Sequence, residues 1–434
     1  MLFGTAKEII TPAKPMRIAC TGDFEHPFCA IHDDVYVRAL VLEEKGRRVG
    51  FMCFDLLFHD RTLNAALEDY ARAAYGFAPG ALVITYTHAH TAPAAKGYFS
   101  EAHDPDYEQF LLARAKVCLD RALCAMTPGT LAYGAFMSDR NISRRGKVNG
   151  RFAIAPNFDY EHDRQFSLLC VRDGQNNLRA LLMNYACHPV FYPDLNTISG
   201  EFPARLCQLL DTRYPGCLSL YCQSAAGDVR PRPTAQKNGE GAYAFRSLDF
   251  QAVDAFAAAL CDDVTAHLDQ DVCKPVEDLD FGSTDFDMEL PLEVMPLAYF
   301  EKTAAEVAHE PVCPVRSNAL FIANGGYDSL AESLMLHGQL IRLADGLWIA
   351  TVGGEPCYGV KKAVLKALMG DRVLFIGYTD ACAYLVDDAV LAEGGYEPDS
   401  FVEYRLKGPL KKGVTARYTA HFAKAAEKLT PYKN

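Results

Sequence analysis

The chain lacks three features that would each name a class of protein at once. Its opening, MLFGTAKEIITPAKP, has neither the basic start nor the apolar core of a secretory leader, and no apolar run reaches the length of a membrane span. There is no excess of cationic charge: 43 Lys and Arg face 55 Asp and Glu, giving a net charge of -12 and a pI near 5.5. Phosphate backbones and anionic lipid surfaces need the opposite balance, so nucleic acid is set aside as a partner. There is no CxxC pair, no internal sequence repeat, no low-complexity segment and no G-x-S-x-G nucleophile turn. The 15 cysteines are scattered, and Cys53, Cys170, Cys187 and Cys222 sit inside apolar runs. They read as buried free thiols of a reducing compartment, which makes the cytoplasm the expected location.

What is present is a large core. Half of the 434 residues are hydrophobic and 23% are charged. Strand-like runs alternate with amphipathic stretches: 35–43, 49–57, 81–87, 167–171, 179–187, 217–223, 346–353 and 372–379 read as strands. Several are apolar at consecutive positions, as in strands buried on both faces. Helices are expected over 62–75, 106–125, 202–213, 250–268, 296–308, 358–369 and 414–429. The stretches 94–107, 144–160 and 231–244 read as surface loops, and the acidic stretch 271–294 as a join between lobes. The expected fold is α/β, with mixed sheets flanked by helices and a site at the carboxyl ends of strands. One catalytic domain, 1–434, is expected in two lobes of roughly 1–270 and 271–434.

The chemistry collects where apolar runs end. ALVITYT runs into His88 and His90, RALLMNYAC into His188, CLSLYCQ into Ser224, LWIATVGG into Glu355, and VLFIGYTDACA leads to Tyr384. Strand ends hold such residues rigidly while their loops converge, so distant positions can meet. A regular strand through His88-Ala89-His90 would put both imidazoles on one face. Each candidate also has a plainer reading. His188 can cap a strand end, Glu355 can complement a helix dipole, Ser224 can cap a turn, and Asp228 can serve a turn. The cluster Asp55, His59 and Asp60 reads as a helix-start cap with surface charge.

In their order, these segments resemble the catalytic domain of the neutral, non-lysosomal ceramidases. FGTAKEIITP and IHDDVYVRALVLE resemble the family's opening segments, and THAHTAP resembles its T-H-T-H-S-G-P, with Ala92 in place of glycine. NISRR, NYACHPV, QSAAGDVRP, VGGEP and the run from Tyr384 to Tyr396-Glu397 are similar to its later motifs, with Ala225 where the family has asparagine. The resemblance implies zinc held by His88, His188, Glu355 and Tyr384. It further implies that His90, Arg144, Ser224 and Tyr396 surround a scissile amide. The family's C-terminal immunoglobulin-like domain has no counterpart in this length.

The activity implied is zinc-dependent hydrolysis of an N-acyl amide, in the family an N-acylsphingosine yielding a fatty acid and a sphingoid base of lipid metabolism. Zinc would lower the pKa of a water to roughly 7 and polarise the carbonyl. His90 is expected to pass the proton to the leaving amine, Tyr396 or His90 to serve the oxyanion, and Arg144 to hold a substrate oxygen. Ser224 either binds the headgroup or acts as nucleophile. Two alternatives stand beside this: the same fold acting on a soluble N-acyl amide or ester, or a non-catalytic binding protein.

Overall fold

The computed structural model describes residues 1–19, 28, 30–95, 104–194, 196–239, 241–310, 314–370, 372–380 and 383–430. Most of the expected loop 94–107 lies outside these residues.

Three larger sheets organise the chain. The first contains Leu2–Ile9, Tyr36–Glu44, Arg47–Phe54 and Leu82–Tyr86. The second contains Thr130–Met137, Gln165–Arg172, Leu178–Tyr185 and Leu218–Gln223. The third contains Gly282–Pro291, Ser333–Ala344, Leu347–Val352 and Arg372–Ile376. In each, three antiparallel strands are followed by a helix and a fourth strand that returns parallel to the third. The crossover helices are Arg61–Tyr75, Glu201–Arg213 and Tyr358–Leu368. A second helix then follows each fourth strand: Pro105–Cys124, Phe250–Asp269 and Val414–Leu429. The chain is thus one βββαβα unit built three times, although no repeat is visible in the sequence. Shared burial demands only shared apolar patterning, so the units need no common residues.

The packing explains the consecutive apolar runs. On Arg47–Phe54, Val49, Phe51 and Cys53 enter a central core, while Met52 and Phe54 face the helices of the first unit. In the second sheet Leu169, Leu182 and Leu220 point to the same central core, and Leu168, Leu181 and Tyr221 face the second helix pair. Ile341, Ile349 and Leu374 complete the centre from the third sheet, with Trp348, Ala350 and Phe375 turned to the third pair. Alternate side chains therefore serve two cores, so most positions on these strands are apolar. Asp60, Asp104 and Asp249 cap three of the six helices by accepting backbone N–H bonds.

Two expectations change here. The acidic stretch 271–294 is no linker, because Gly282–Pro291 is the first strand of the third sheet. Its Asp287 and Glu289 are exposed while Met288 and Leu290 are buried in alternation, so acidity on one face hid a strand. The stretch 144–160 is largely a hairpin, with Asn141–Val148 paired to Arg151–Asn157 through Asn149-Gly150, both at positive φ. That dipeptide is a hairpin signal of its own. Of the cluster Asp55, His59 and Asp60, Asp60 is the helix cap, but Asp55 and His59 are buried.

Because Leu182 and Ile349 come from different sheets and fill one core, replacing either by alanine is expected to cost about 2–5 kcal/mol. Urea unfolding followed by circular dichroism reads this. A cost below about 1 kcal/mol for both would mean that the sheets are not held by a common core.

Candidate functional site

The third and fourth strands of all three units direct their carboxyl ends to one place. Tyr86 N bonds Tyr378 O at 3.1 Å, and Gly377 N bonds Gln223 O at 3.0 Å, so the ends of three fourth strands touch. His88 and His90 follow the first unit's fourth strand and His188 the second unit's third. Glu355 and Tyr378 follow the third unit's third and fourth strands.

The two histidines of THAHTAP do not converge by strand pleat. The strand ends at Tyr86, and His88 has φ +64 in the left-handed region. Thr87 N and His88 N are bonded to Phe54 O and Leu56 O, each at 2.9 Å, which holds this turn in place. The rings of His88 and His90 then meet edge to face at 4.9 Å, and His188 lies 4.6 Å from His88.

His88 Nδ1 is 2.9 Å from Leu57 O, and His188 Nδ1 is 3.2 Å from Ala226 O. Backbone carbonyls can only accept, so each Nδ1 carries the proton and each Nε2 offers a lone pair. His88 Nε2 lies 3.3 Å and His188 Nε2 3.8 Å from Glu355 Oε2. His90 Nε2 is 3.0 Å from His188 Nε2. One nitrogen from each of the three buried histidines falls within 4.8 Å of the others, a group able to hold a metal ion. Burial pushes His90 and His188 well below the usual histidine range, with the neighbouring His88 adding to it.

Glu355 is presented by a tight turn. Gly354 has φ +75, and a Cβ there would stand 2.7 Å from Ala383 O. Glu355 then pairs in parallel register with Tyr384. Its Oε1 accepts from the Tyr404 hydroxyl at 3.0 Å, whereas Oε2 is buried with no hydrogen-bond donor. A carboxylate oxygen in that state, facing two imidazole lone pairs, fits a cation and is costly without one.

Around this lie Tyr384 and Tyr396, with ring centroids 5.4 Å apart, and the Arg144 guanidinium 4.9 and 5.2 Å from their centroids. Burial raises both phenols well above their usual range, and the Arg144 charge acts in the opposite sense. Arg144 Nε donates to Glu397 Oε1 at 2.9 Å, while its buried Nη2 has no partner. Tyr396 donates to Glu403, whose carboxyl burial pushes up to about 7.

Ser224 sits differently. Its hydroxyl is fully buried, donates to Asp163 Oδ2 at 2.8 Å and lies 3.4 Å from Lys361 Nζ. Lys361 in turn holds both Asp163 oxygens at 2.9 and 2.8 Å. Among the described residues, no hydrogen bond joins Ser224 Oγ to the histidines.

Several neighbours were not singled out from the sequence. Glu201, with φ +50, accepts from the backbone N–H groups of His90 and Phe191, both at 3.2 Å, and so ties the first and second units' loops. Burial pushes its carboxyl up to about 8. Tyr192 OH lies 3.3 Å from His90 Nδ1, and Tyr378 packs 4.6 Å from His88. None of these carries a local motif, because their roles arise from contacts across units.

No protein-family model and no curated protein matches this sequence. Solved structures do. One is described as "Crystal Structure Analysis of neutral ceramidase from Pseudomonas aeruginosa", at TM-score 0.73 and 16% identity, covering 99% of this chain and 74% of that one. Another, "Ceramidase complexed with C2", matches at TM-score 0.73 and 16% identity, covering 100% and 76%. The fold, from first strand to last helix, is that of the neutral ceramidase structures.

Proposed function

We propose that this chain is a zinc-dependent hydrolase of N-acyl amides, with His88, His188, Glu355 and Tyr384 as the metal's protein ligands and His90 beside them. The observation that carries the reading is the buried, donor-free Glu355 Oε2 facing the Nε2 atoms of His88 and His188. Nitrogen and carboxylate donors of this kind suit zinc better than calcium or magnesium. When bound, such a metal supplies Lewis acidity and a nucleophilic water at neutral pH.

The chain's own residues supply the rest. His90, kept neutral by burial, takes up a proton at Nε2 and returns it to the leaving amine nitrogen. Its Nδ1, next to the Tyr192 hydroxyl, fixes which nitrogen is free to do so. Arg144, oriented by Glu397, offers Nη2 to a substrate oxygen. The Tyr396 hydroxyl donates to charge developing on the carbonyl oxygen, with Glu403 as its resting partner. Ser224 serves by holding the Lys361–Asp163 pair under the site. The fold likeness supports an amide as the bond cleaved.

Two outcomes test this. Purified protein is expected to bind one zinc per chain by atomic absorption, to lose N-acyl amide hydrolysis on chelation and to regain it with zinc. His88→Ala should lose both metal and turnover, and retention of both would sink the assignment. Tyr404→Phe removes the hydroxyl that donates to Glu355, so zinc affinity should fall by about 10–100-fold, as for other outer partners of ligands. Glu355→Gln should fall further. Wild-type affinity in Glu355→Gln would exclude that carboxylate as a ligand.

A further inference from the structure

Arg230 is an arginine without a counter-charge beside the site. It lies on the short strand Val229–Pro231, paired antiparallel with Asn141–Val148 so that Arg230 stands opposite Ile142 and Val229 opposite Ser143. The Arg144 N–H to Asp228 O bond at 2.8 Å continues that register. Side chains alternate between faces, so Arg230 and Arg144 emerge on the same face as diagonal neighbours.

The two arginines differ in pairing. Arg144 is matched by Glu397, and the adjacent Arg145 by Glu397 and Glu393. Arg230 has no ion pair and no side-chain hydrogen bond among the described residues, and its Nε is shielded from water without an acceptor. The residue as a whole is partly exposed. Its guanidinium lies 4.9 Å from the Phe245 ring centroid. Packing against an aromatic ring leaves the in-plane N–H donors free for another molecule. Arg144, its diagonal neighbour, lies 4.9 and 5.2 Å from the Tyr384 and Tyr396 ring centroids, which sets Arg230 beside the same site.

A guanidinium with its Nε shut off from water is costly unless an acceptor completes it. With Arg144 and Arg145 matched by Glu397 and Glu393, Arg230 is a guanidinium left without a carboxylate among the described residues. One guanidinium fork matches the two oxygens of a single carboxylate. We propose that Arg230 recognises a carboxylate placed beside the scissile amide, so that the substrates are N-acyl amides bearing an acid group and not neutral ceramides. The inference rests on the hydrolase reading above for its chemistry, and on Arg230 alone for its selectivity.

The test compares matched compounds with the zinc-loaded protein. N-hexanoylglycine and N-hexanoylglycinamide share acyl chain and scissile amide and differ only in charge, and N-butylsuccinamic acid and its primary amide do the same with the acid on the acyl side. In at least one pair the acid should be favoured in kcat/KM by about tenfold or more, the scale of a charge-assisted bidentate contact. Arg230→Gln should bring that ratio to near one, with the loss falling on the acid's KM. Arg230→Lys, keeping charge without the fork, should give an intermediate ratio, and is read alone if the glutamine variant does not fold. Equal turnover of acid and amide in both pairs, or an unchanged preference in the variants, overturns the proposal and leaves the hydrolase reading standing. If no compound is cleaved, titration calorimetry with the same four compounds separates the two ideas. Acid-selective binding that disappears in Arg230→Gln then upholds carboxylate recognition while the hydrolase reading falls, and its absence overturns the proposal as well.

Discussion

Everything at the site depends on the burial of each sheet on both faces. A strand such as Arg47–Phe54 sends Phe51 to the central core and Met52 to its own helices, so it can neither slide nor tilt without exposing one set. Three sheets pinned in this way fix the directions of their strand ends. The polar groups that follow those strands inherit that rigidity, and His88 is held in a left-handed backbone conformation that costs about 1–3 kcal/mol. The apolar interior stabilises a strained and highly polar rim.

That rim contains more buried charge than a core tolerates unpaired. Arg144 and Arg145 share Glu397, Lys361 is locked to Asp163, and Glu201 is satisfied by two backbone N–H groups. Each pair also joins segments far apart in sequence, so the compensation of charge and the joining of units are the same contacts. Glu355 Oε2, Arg230 Nε, Arg144 Nη2 and Arg145 Nε are left without partners, one an acceptor without a donor and three donors without an acceptor.

How much of this was legible in the sequence depends on where each signal resides. The long runs ALVITYT, RALLMNYAC and GLWIATVG announced doubly buried strands, and the strand Leu218–Gln223 falls within the expected 217–223. Helices such as Val414–Leu429 were carried by their own apolar spacing. Gly282–Pro291 was hidden because its acidic residues Asp285, Asp287 and Glu289 alternate along it, the last two exposed, and the Asn141–Asn157 hairpin because polar residues outnumber apolar ones. Its Asn149-Gly150 turn was nonetheless there to be read. The order of His88, His188, Glu355 and Tyr384 at strand ends was legible, and the structure brings the three buried histidines and Glu355 into contact range. Arg230, Tyr404 and Glu201 had no such mark, since what distinguishes them is which partners they have across the fold or lack. The threefold unit escaped notice for the same reason: its copies share a pattern of burial and no shared motif.

The triplicate architecture also divides ownership of the chemistry. His88 and His90 belong to the first unit, His188 to the second, and Glu355 with Tyr384 to the third. A nascent chain that has completed two units therefore holds the three imidazoles without the Glu355 carboxylate that faces them. Under the proposed function, turnover would require all three units to have docked, so activity would report that the whole fold has closed.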